Sequence, residues 1–220
     1  MRPILGSTEI DAVSIHLMLK EYKLENGQIL ESCLTHALWE ARHISGRDKN
    51  TGIVLDPSPD GSYLGRWSAV LTYCAIIDQI GKCYKPIGKI ASPSNSFIKA
   101  LKLFTKLLPN EIDALYGLRN AFVHDFSLYN WNVKRPHIQH VFTVDNHPTN
   151  SAVVLPANMW DGKMSNRNSN NTTYINLRAL GDLVENIYSS LVNLHRNGNL
   201  ELILPGGETE LLDRYIFIHF

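Results

Sequence analysis

The stretch Leu115-Tyr-Gly-Leu-Arg-Asn-Ala-Phe-Val-His-Asp-Phe126 decides how the rest of the chain is read. Together with Ile112, its apolar residues Leu115, Tyr116, Phe122, Val123 and Phe126 recur at helical spacing. Three polar residues break the apolar pattern. Asn120 and His124 are four apart and share a helix face, and Arg119 sits beside them with a side chain long enough to reach the same patch. A guanidinium, an amide and an imidazole on one patch suit a phosphodiester. The guanidinium holds phosphate oxygens in a fork, and an imidazole moves protons near neutral pH.

Working outward, the sequence predicts a succession of helices. Ser7 or Thr8 caps a first helix running to about Tyr22, and Asn26-Gly27 marks a turn. A second helix carries Ile29, Leu30, Cys33, Leu34, Ala37, Leu38 and Ala41 on one face and stops at Gly46. Prolines and glycines make residues 46–61 a loop. A third helix covers about 62–84, and a fourth, capped by Ser94 or Asn95, carries Phe97, Ile98, Leu101, Phe104, Leu107 and Leu108 up to Pro109. The motif helix starts near Asn110, with Glu111 and Asp113 in its first turn, where the dipole favours acids.

Beyond Tyr129 the pattern changes. His137–Val144 and Ser151–Leu155 are short and β-branched and predict a β-hairpin with a long turn. Residues 157–171 hold five asparagines and read as a mobile loop. A long helix over about 173–197 carries Leu177, Leu180, Val184, Ile187, Leu191 and Leu194, and a short one follows from Glu208 to about Ile218. The expected fold is mainly all-α. It is a single domain over residues 1–220, with a β-hairpin and mobile loop at about 134–171, before the last long helix.

Composition sets outer bounds. Hydrophobic residues make up 44% and charged residues 19% of 220, as in ordinary globular proteins. The formal net charge is zero, so any argument for a polyanionic partner rests on local charge. Cys33, Cys74 and Cys83 have no metal-ligand spacing and read as reduced, mostly buried thiols. The sequence shows neither a signal-peptide apolar region nor a membrane-length apolar run, so the expectation is a cytoplasmic protein with no membrane partner. Asn171-Thr-Thr173 fits a glycosylation sequon, and without a secretory signal it reads as chance.

Arg119-Asn120-Ala-Phe-Val-His124 resembles the motif of the HEPN superfamily: Arg, a polar residue, three variable residues, then His. The flanking Leu115-Tyr-Gly-Leu118 and Asp125-Phe126 strengthen the resemblance, which extends over roughly residues 8–197. It implies a helical bundle, frequent homodimerisation and, in many members, metal-independent endoribonuclease activity at a composite cleft. Carried onto this chain, His124 serves as general base or acid, Arg119 stabilises the phosphorane-like charge and Asn120 orients His124 or a phosphate oxygen. The resemblance also implies phage defence or a toxin held by an antitoxin, and no cofactor or metal. A non-catalytic module that binds RNA or protein is the alternative.

Other features bear on these readings. Six lysines and no acids lie between Gln79 and Asn110. Lys99, Lys102 and Lys106 are expected on one face of the fourth helix, as an RNA-binding strip or an ordinary solvated face. Arg119 and His124 also fit a surface role, pairing with Asp113 or Asp125 or complementing the helix dipole. Gly117, costly in a helix by roughly 1 kcal/mol, suggests close approach of another helix or a second subunit. His36, Glu40 and His43 carry half of a di-iron pattern without its second copy. His137, His140 and His147 read as exposed hairpin residues.

Overall fold

A computed structural model describes residues 4–5, 8–9, 11–18, 21–55, 66–132, 134–145 and 149–219. In chain order come strands β1 (Ile4–Leu5) and β2 (Thr8–Glu9), helix α1 (Ala12–Leu17), strands β3 (Tyr22–Lys23) and β4 (Ile29–Ser32), and helices α2 (Cys33–Ile44) and α3 (Arg66–Cys83). Strand β5 (Tyr84–Pro86) leads to helices α4 (Ser96–Phe104) and α5 (Pro109–Asp125). Strands β6 (Tyr129–Asn130), β7 (His140–Asp145), β8 (Val153–Val154) and β9 (Thr172–Asn176) precede helix α6 (Leu177–Arg196). Strand β10 (Leu200–Leu202), helix α7 (Gly207–Tyr215) and strand β11 (Ile216–His219) complete the order. The expectations for Ser7, residues 56–61, Leu64 and Asn146-His-Pro148 lie outside the described residues.

The chain is mixed α/β, which corrects the all-α expectation. Its strands are two to six residues long, and β4, β5, β9 and β11 directly abut helices, so the apolar spacing continues across those joints. Ile29 and Leu30, expected on the second helix, belong to β4. That helix begins only after Ser32, whose hydroxyl accepts the Leu34 and Thr35 N–H groups at 3.1 and 3.3 Å. Residues 172–176 likewise form β9, and Asn176 caps α6 by accepting the N–H groups of Arg178 and Ala179. Asn26-Gly27 turns a β-hairpin between β3 and β4, with Gly27 at φ +88°, rather than joining two helices. Strand β11 pairs antiparallel with β4 on its other side, and β10 pairs with β5.

The hairpin expected between residues 137–144 and 151–155 does not form. Strand β9 separates them, giving the order β6-β7-β9-β8. Strands β7 and β9 are parallel, from Val141↔Thr172 to Asp145↔Asn176, and β8 is antiparallel to β9. Parallel neighbours need a long crossover. The Asn-rich stretch lies within it, carrying short 3-10 turns at Met164–Asn166 and Ser169–Asn171.

Helix α3 is the hub. Its Ala69, Val70, Tyr73, Cys74, Ile76, Ile77, Ile80 and Cys83 are all buried, and it packs against α2, α4, α5 and α6. A helix apolar on most sides belongs in an interior. Burial drives the Cys74 and Cys83 thiols up to about 12, so both are inert at neutral pH. Two arginines tie α2 and the loop after it to α6. Arg42 donates to both carboxylate oxygens of Glu185 at 2.7 Å. Arg47 donates to Asp182 at 2.8 Å and to the Arg178 and Gly52 carbonyls. Among the described residues no helix is long and apolar enough to cross a membrane.

Candidate functional site

Helix α5 carries the motif between two kinds of neighbour. On one side lie α3 and α4, and on the other β6, the 3-10 turn Pro136–Ile138 and β7. The helix begins at Pro109, one residue before the expected start, and Glu111 accepts the Leu108 N–H at 2.7 Å. Asn110 instead accepts the N–H of Glu111. Gly117 meets the sheet side. A Cβ there would lie 2.6 Å from the Ile138 carbonyl oxygen, so the close approach comes from a 3-10 turn of the same chain. The helix ends at Phe126, whose backbone is left-handed at φ 47°. That conformation is uncommon outside glycine.

Arg119 faces α3. Its Nε donates to Asp78 Oδ2 at 2.9 Å, its Nη2 forms an ion pair with the same oxygen at 2.7 Å, and its Nη1 donates to Asn120 Oδ1 at 3.3 Å. The other Asp78 oxygen accepts the Ser96 hydroxyl at 2.5 Å. One carboxylate thus joins α3, the first residue of α4, and α5. A guanidinium has five N–H donors. Two of them donate hydrogen bonds here, and Nη1 and Nη2 each keep an N–H without an acceptor among the described residues.

His124 lies exposed in the last turn of α5 and has no hydrogen-bond partner among the described residues. Five residues apart, Arg119 and His124 leave the helix about 140° from one another. The structure brings Arg119 to Asn120 and Asp78, and no hydrogen bond links His124 to them. Val123 and Phe126 at this end of the helix, and Trp67 on α3, are partly open to solvent. The Trp67 ring centroid stands 5.8 Å from that of Phe126 and 6.0 Å from that of Phe122.

The lysine strip divides. Lys99 is 8% exposed, and burial together with Lys82 lowers its pKa. Lys102 is exposed on α4, and Lys106 lies beyond the helix, which ends at Phe104. The three do not form a continuous exposed helix face, because Lys99 is buried and Lys106 lies outside the helix. His36 is hydrogen-bonded to Glu31 at 2.8 Å and lies 3.4 Å from Glu40, and its pKa is raised chiefly by the Glu31 bond. Trp39 lies between the rings of His36 and His43. Among the described residues no three His, Cys, Asp or Glu side chains gather to hold a metal. His137 is exposed, while His140 is buried, with Nδ1 2.8 Å from Thr173 Oγ1, and burial lowers its pKa to about 4.

A constellation that sequence reading misses joins residues 181 positions apart. Ser14 Oγ lies 2.8 Å from His195 Nε2 and donates to Asp11 Oδ2 at 2.8 Å. They line a cavity of about 590 Å³ with Leu17, Met18, Val192 and Arg196, away from the motif. A hydroxyl has one proton. With that proton on Asp11, His195 Nε2 is the donor to Ser14, so Ser14 is not activated as a nucleophile. Helix α1 is capped by Asp11, which accepts the Ser14 N–H, later than the Ser7 or Thr8 cap expected.

Models of known protein families, curated proteins and solved structures were all compared with the chain, and none matches it.

Proposed function

We propose that the chain is a metal-independent endoribonuclease of the HEPN type whose reacting centre is His124 with Arg119 and Asn120. The observation that carries this reading is the state of the two key side chains. Arg119 is fixed by Asp78 yet keeps two N–H donors free, and His124, five residues on, is exposed and unengaged. A fixed cation with spare donors suits a phosphate, and a free imidazole suits proton transfer.

The reaction is displacement at phosphorus. The ribose 2′-oxygen attacks, its proton passes to one His124, and the 5′-oxygen leaves with a proton from another. The products are a 2′,3′-cyclic phosphate and a 5′-hydroxyl. Arg119 stabilises the extra charge on the non-bridging oxygens, and Asn120 orients the guanidinium through its carbonyl. The 140° divergence within one protomer is answered by a second copy supplying the complementary His124, with the partly exposed Val123, Phe126 and Trp67 offering apolar contact area. DNA has no 2′-hydroxyl and remains intact. Phage defence, or toxicity restrained by an antitoxin protein, is the biological setting that this reading suggests for a cytoplasmic nuclease.

A second reading rests on the Asp78 carboxylate, which holds Arg119 and Ser96 together. On that reading Arg119 is a clamp and the chain is a non-catalytic module for RNA or protein. RNA cleavage in EDTA separates the two. A nuclease loses cleavage in His124→Ala while keeping its melting temperature, whereas a module cleaves nothing.

A further inference from the structure

The sequence placed RNA contacts on α4, but the structure gathers a different set of side chains. Tyr129 and Trp131 leave the end of β6 directly after the motif helix. Trp131 is 67% exposed, among the most exposed of the large apolar side chains described. It is held at its edge, since a Cβ on Gly162 would lie 2.8 Å from Trp131 Nε1. Gly162 has φ +84°, a backbone that disfavours any larger residue. The indole is therefore braced along one edge by the Asn-rich crossover and otherwise largely open to solvent.

Basic side chains lie near it along the chain and in the crossover that braces it. Lys134 and Arg135 sit on the next turn, closed by Arg135 N–H donating to the Asn132 carbonyl at 3.1 Å, and both are exposed. Lys163 and Arg167 come from the crossover and are also exposed. Arg167 donates to the Tyr129 hydroxyl at 2.6 Å, and its guanidinium carbon lies 5.6 Å from the Tyr129 ring centroid. Over residues 129–140 and 157–171 there are four lysines and arginines and one acid, Asp161. That acid is occupied within its own loop, accepting the Lys163 N–H at 2.9 Å and the Asn166 amide at 2.6 Å. The loop is further cross-linked by Asn168 and Asn171, whose amides donate to the Asn166 carbonyl. A neutral protein thus holds a local excess of positive charge near a solvent-facing indole.

We propose that Tyr129, Trp131, Lys134, Arg135, Lys163 and Arg167 form a platform for single-stranded RNA. A base stacks on Trp131, and the four cations take the flanking phosphates. The favoured partner is a single strand because a flat aromatic face needs an unpaired base. The platform adjoins the motif in the chain, with Trp131 seven residues after His124. The two also share a side of α5, because Gly117 packs on the turn at Pro136–Ile138, and His124 lies seven residues, nearly two helical turns, further along that side. This inference rests on the ribonuclease reading for its choice of RNA, but binding is measured separately from cleavage.

The test is fluorescence anisotropy of a short fluorescein-labelled oligouridylate in EDTA, with the protein carrying His124→Ala so that nothing is cut. The expected result is single-strand binding that weakens about tenfold in Trp131→Ala. In Lys134→Ala/Arg135→Ala, the slope of log affinity against log salt becomes shallower by about 0.7 per cation removed. Lys102→Ala/Lys106→Ala stays within about twofold of its parent. All five side chains are exposed, so melting temperatures stay unchanged and losses of binding are not losses of folding. Oligodeoxythymidylate binds comparably, since stacking needs no 2′-hydroxyl. Several outcomes overturn the proposal: no binding of the single strand, unchanged affinity in Trp131→Ala, preference for duplex RNA, or loss of binding confined to the Lys102/Lys106 variant. Binding without cleavage by the His124-containing protein leaves the platform standing and removes the ribonuclease.

Discussion

The Asp78–Arg119 pair permits a quantitative test of how the motif helix is held. The perturbation is a double-mutant cycle of Asp78→Ala, Arg119→Ala and the pair together. The guanidinium gives one carboxylate oxygen a hydrogen bond from Nε at 2.9 Å and an ion-pair contact from Nη2 at 2.7 Å, and each side chain is 23% exposed. Exposed pairs couple by about 0–1 kcal/mol, and breaking a buried pair costs about 3–5. A pair with roughly a quarter of its surface in water falls between, so a coupling of about 1–2 kcal/mol is expected. Asp78→Ala also strips the Ser96 hydroxyl of its acceptor, adding about 1 kcal/mol. The single variant therefore loses about 2–3 kcal/mol, which at roughly 2–4 °C per kcal/mol lowers the melting temperature by about 5–10 °C. Urea unfolding of the four proteins, with thermal melting beside it, reads the cycle. If the two single losses add to the double loss within about 0.5 kcal/mol, the pair is not a tie between α3 and α5, and the account of the site's rigidity fails.

Other expectations follow from the same contacts. In Gly117→Ala the new methyl meets the Ile138 carbonyl at 2.6 Å. Overpacking of about 1–3 kcal/mol then exceeds the roughly 1 kcal/mol gained in helix propensity, and a variant as stable as wild type contradicts the packing described. Stability should also fall in acid. Burial holds His16 neutral down to about 3 and His140 down to about 4, whereas the unfolded chain takes up both protons near 6.5. The unfolded state thus binds more protons below pH 6.5. Stability is full above that value and declines by about 1.4 kcal/mol per pH unit for each histidine, His140 levelling off near 4 and His16 near 3. Urea midpoints that stay flat between pH 6.5 and 4.5 contradict this.

The sequence disclosed the long helices and the positions of β7 and β8, and concealed the other strands and the pairing, for a physical reason. Helices α3, α5 and α6 are long enough for apolar spacing to repeat over several turns, and all three stand within a few residues of expectation. Strands β4 and β9 run into α2 and α6 through the caps Ser32 and Asn176, so their apolar residues extend the helical stripe. Strand β11 is set by pairing with β4, nearly two hundred residues earlier, and no local pattern encodes that partner. Of the site, the placement of Arg119, Asn120 and His124 on one helix was legible. Their partners were not: Asp78 is 41 residues from Arg119, and its acceptance of both Arg119 and Ser96 depends on how α3, α4 and α5 pack. Lys99 was misplaced because charge count does not reveal burial. Trp131 drew no notice because an isolated aromatic in a loop has no period.

The most direct test of the central claim is cleavage of single-stranded RNA by the purified chain in EDTA, beside His124→Ala and Arg119→Ala, with end-group analysis of the products. The account expects 2′,3′-cyclic phosphate ends from wild type. It expects none from His124→Ala at an unchanged melting temperature, and a strongly reduced yield from Arg119→Ala. Equal cleavage by wild type and His124→Ala, or RNA left intact by a folded wild-type protein, contradicts it.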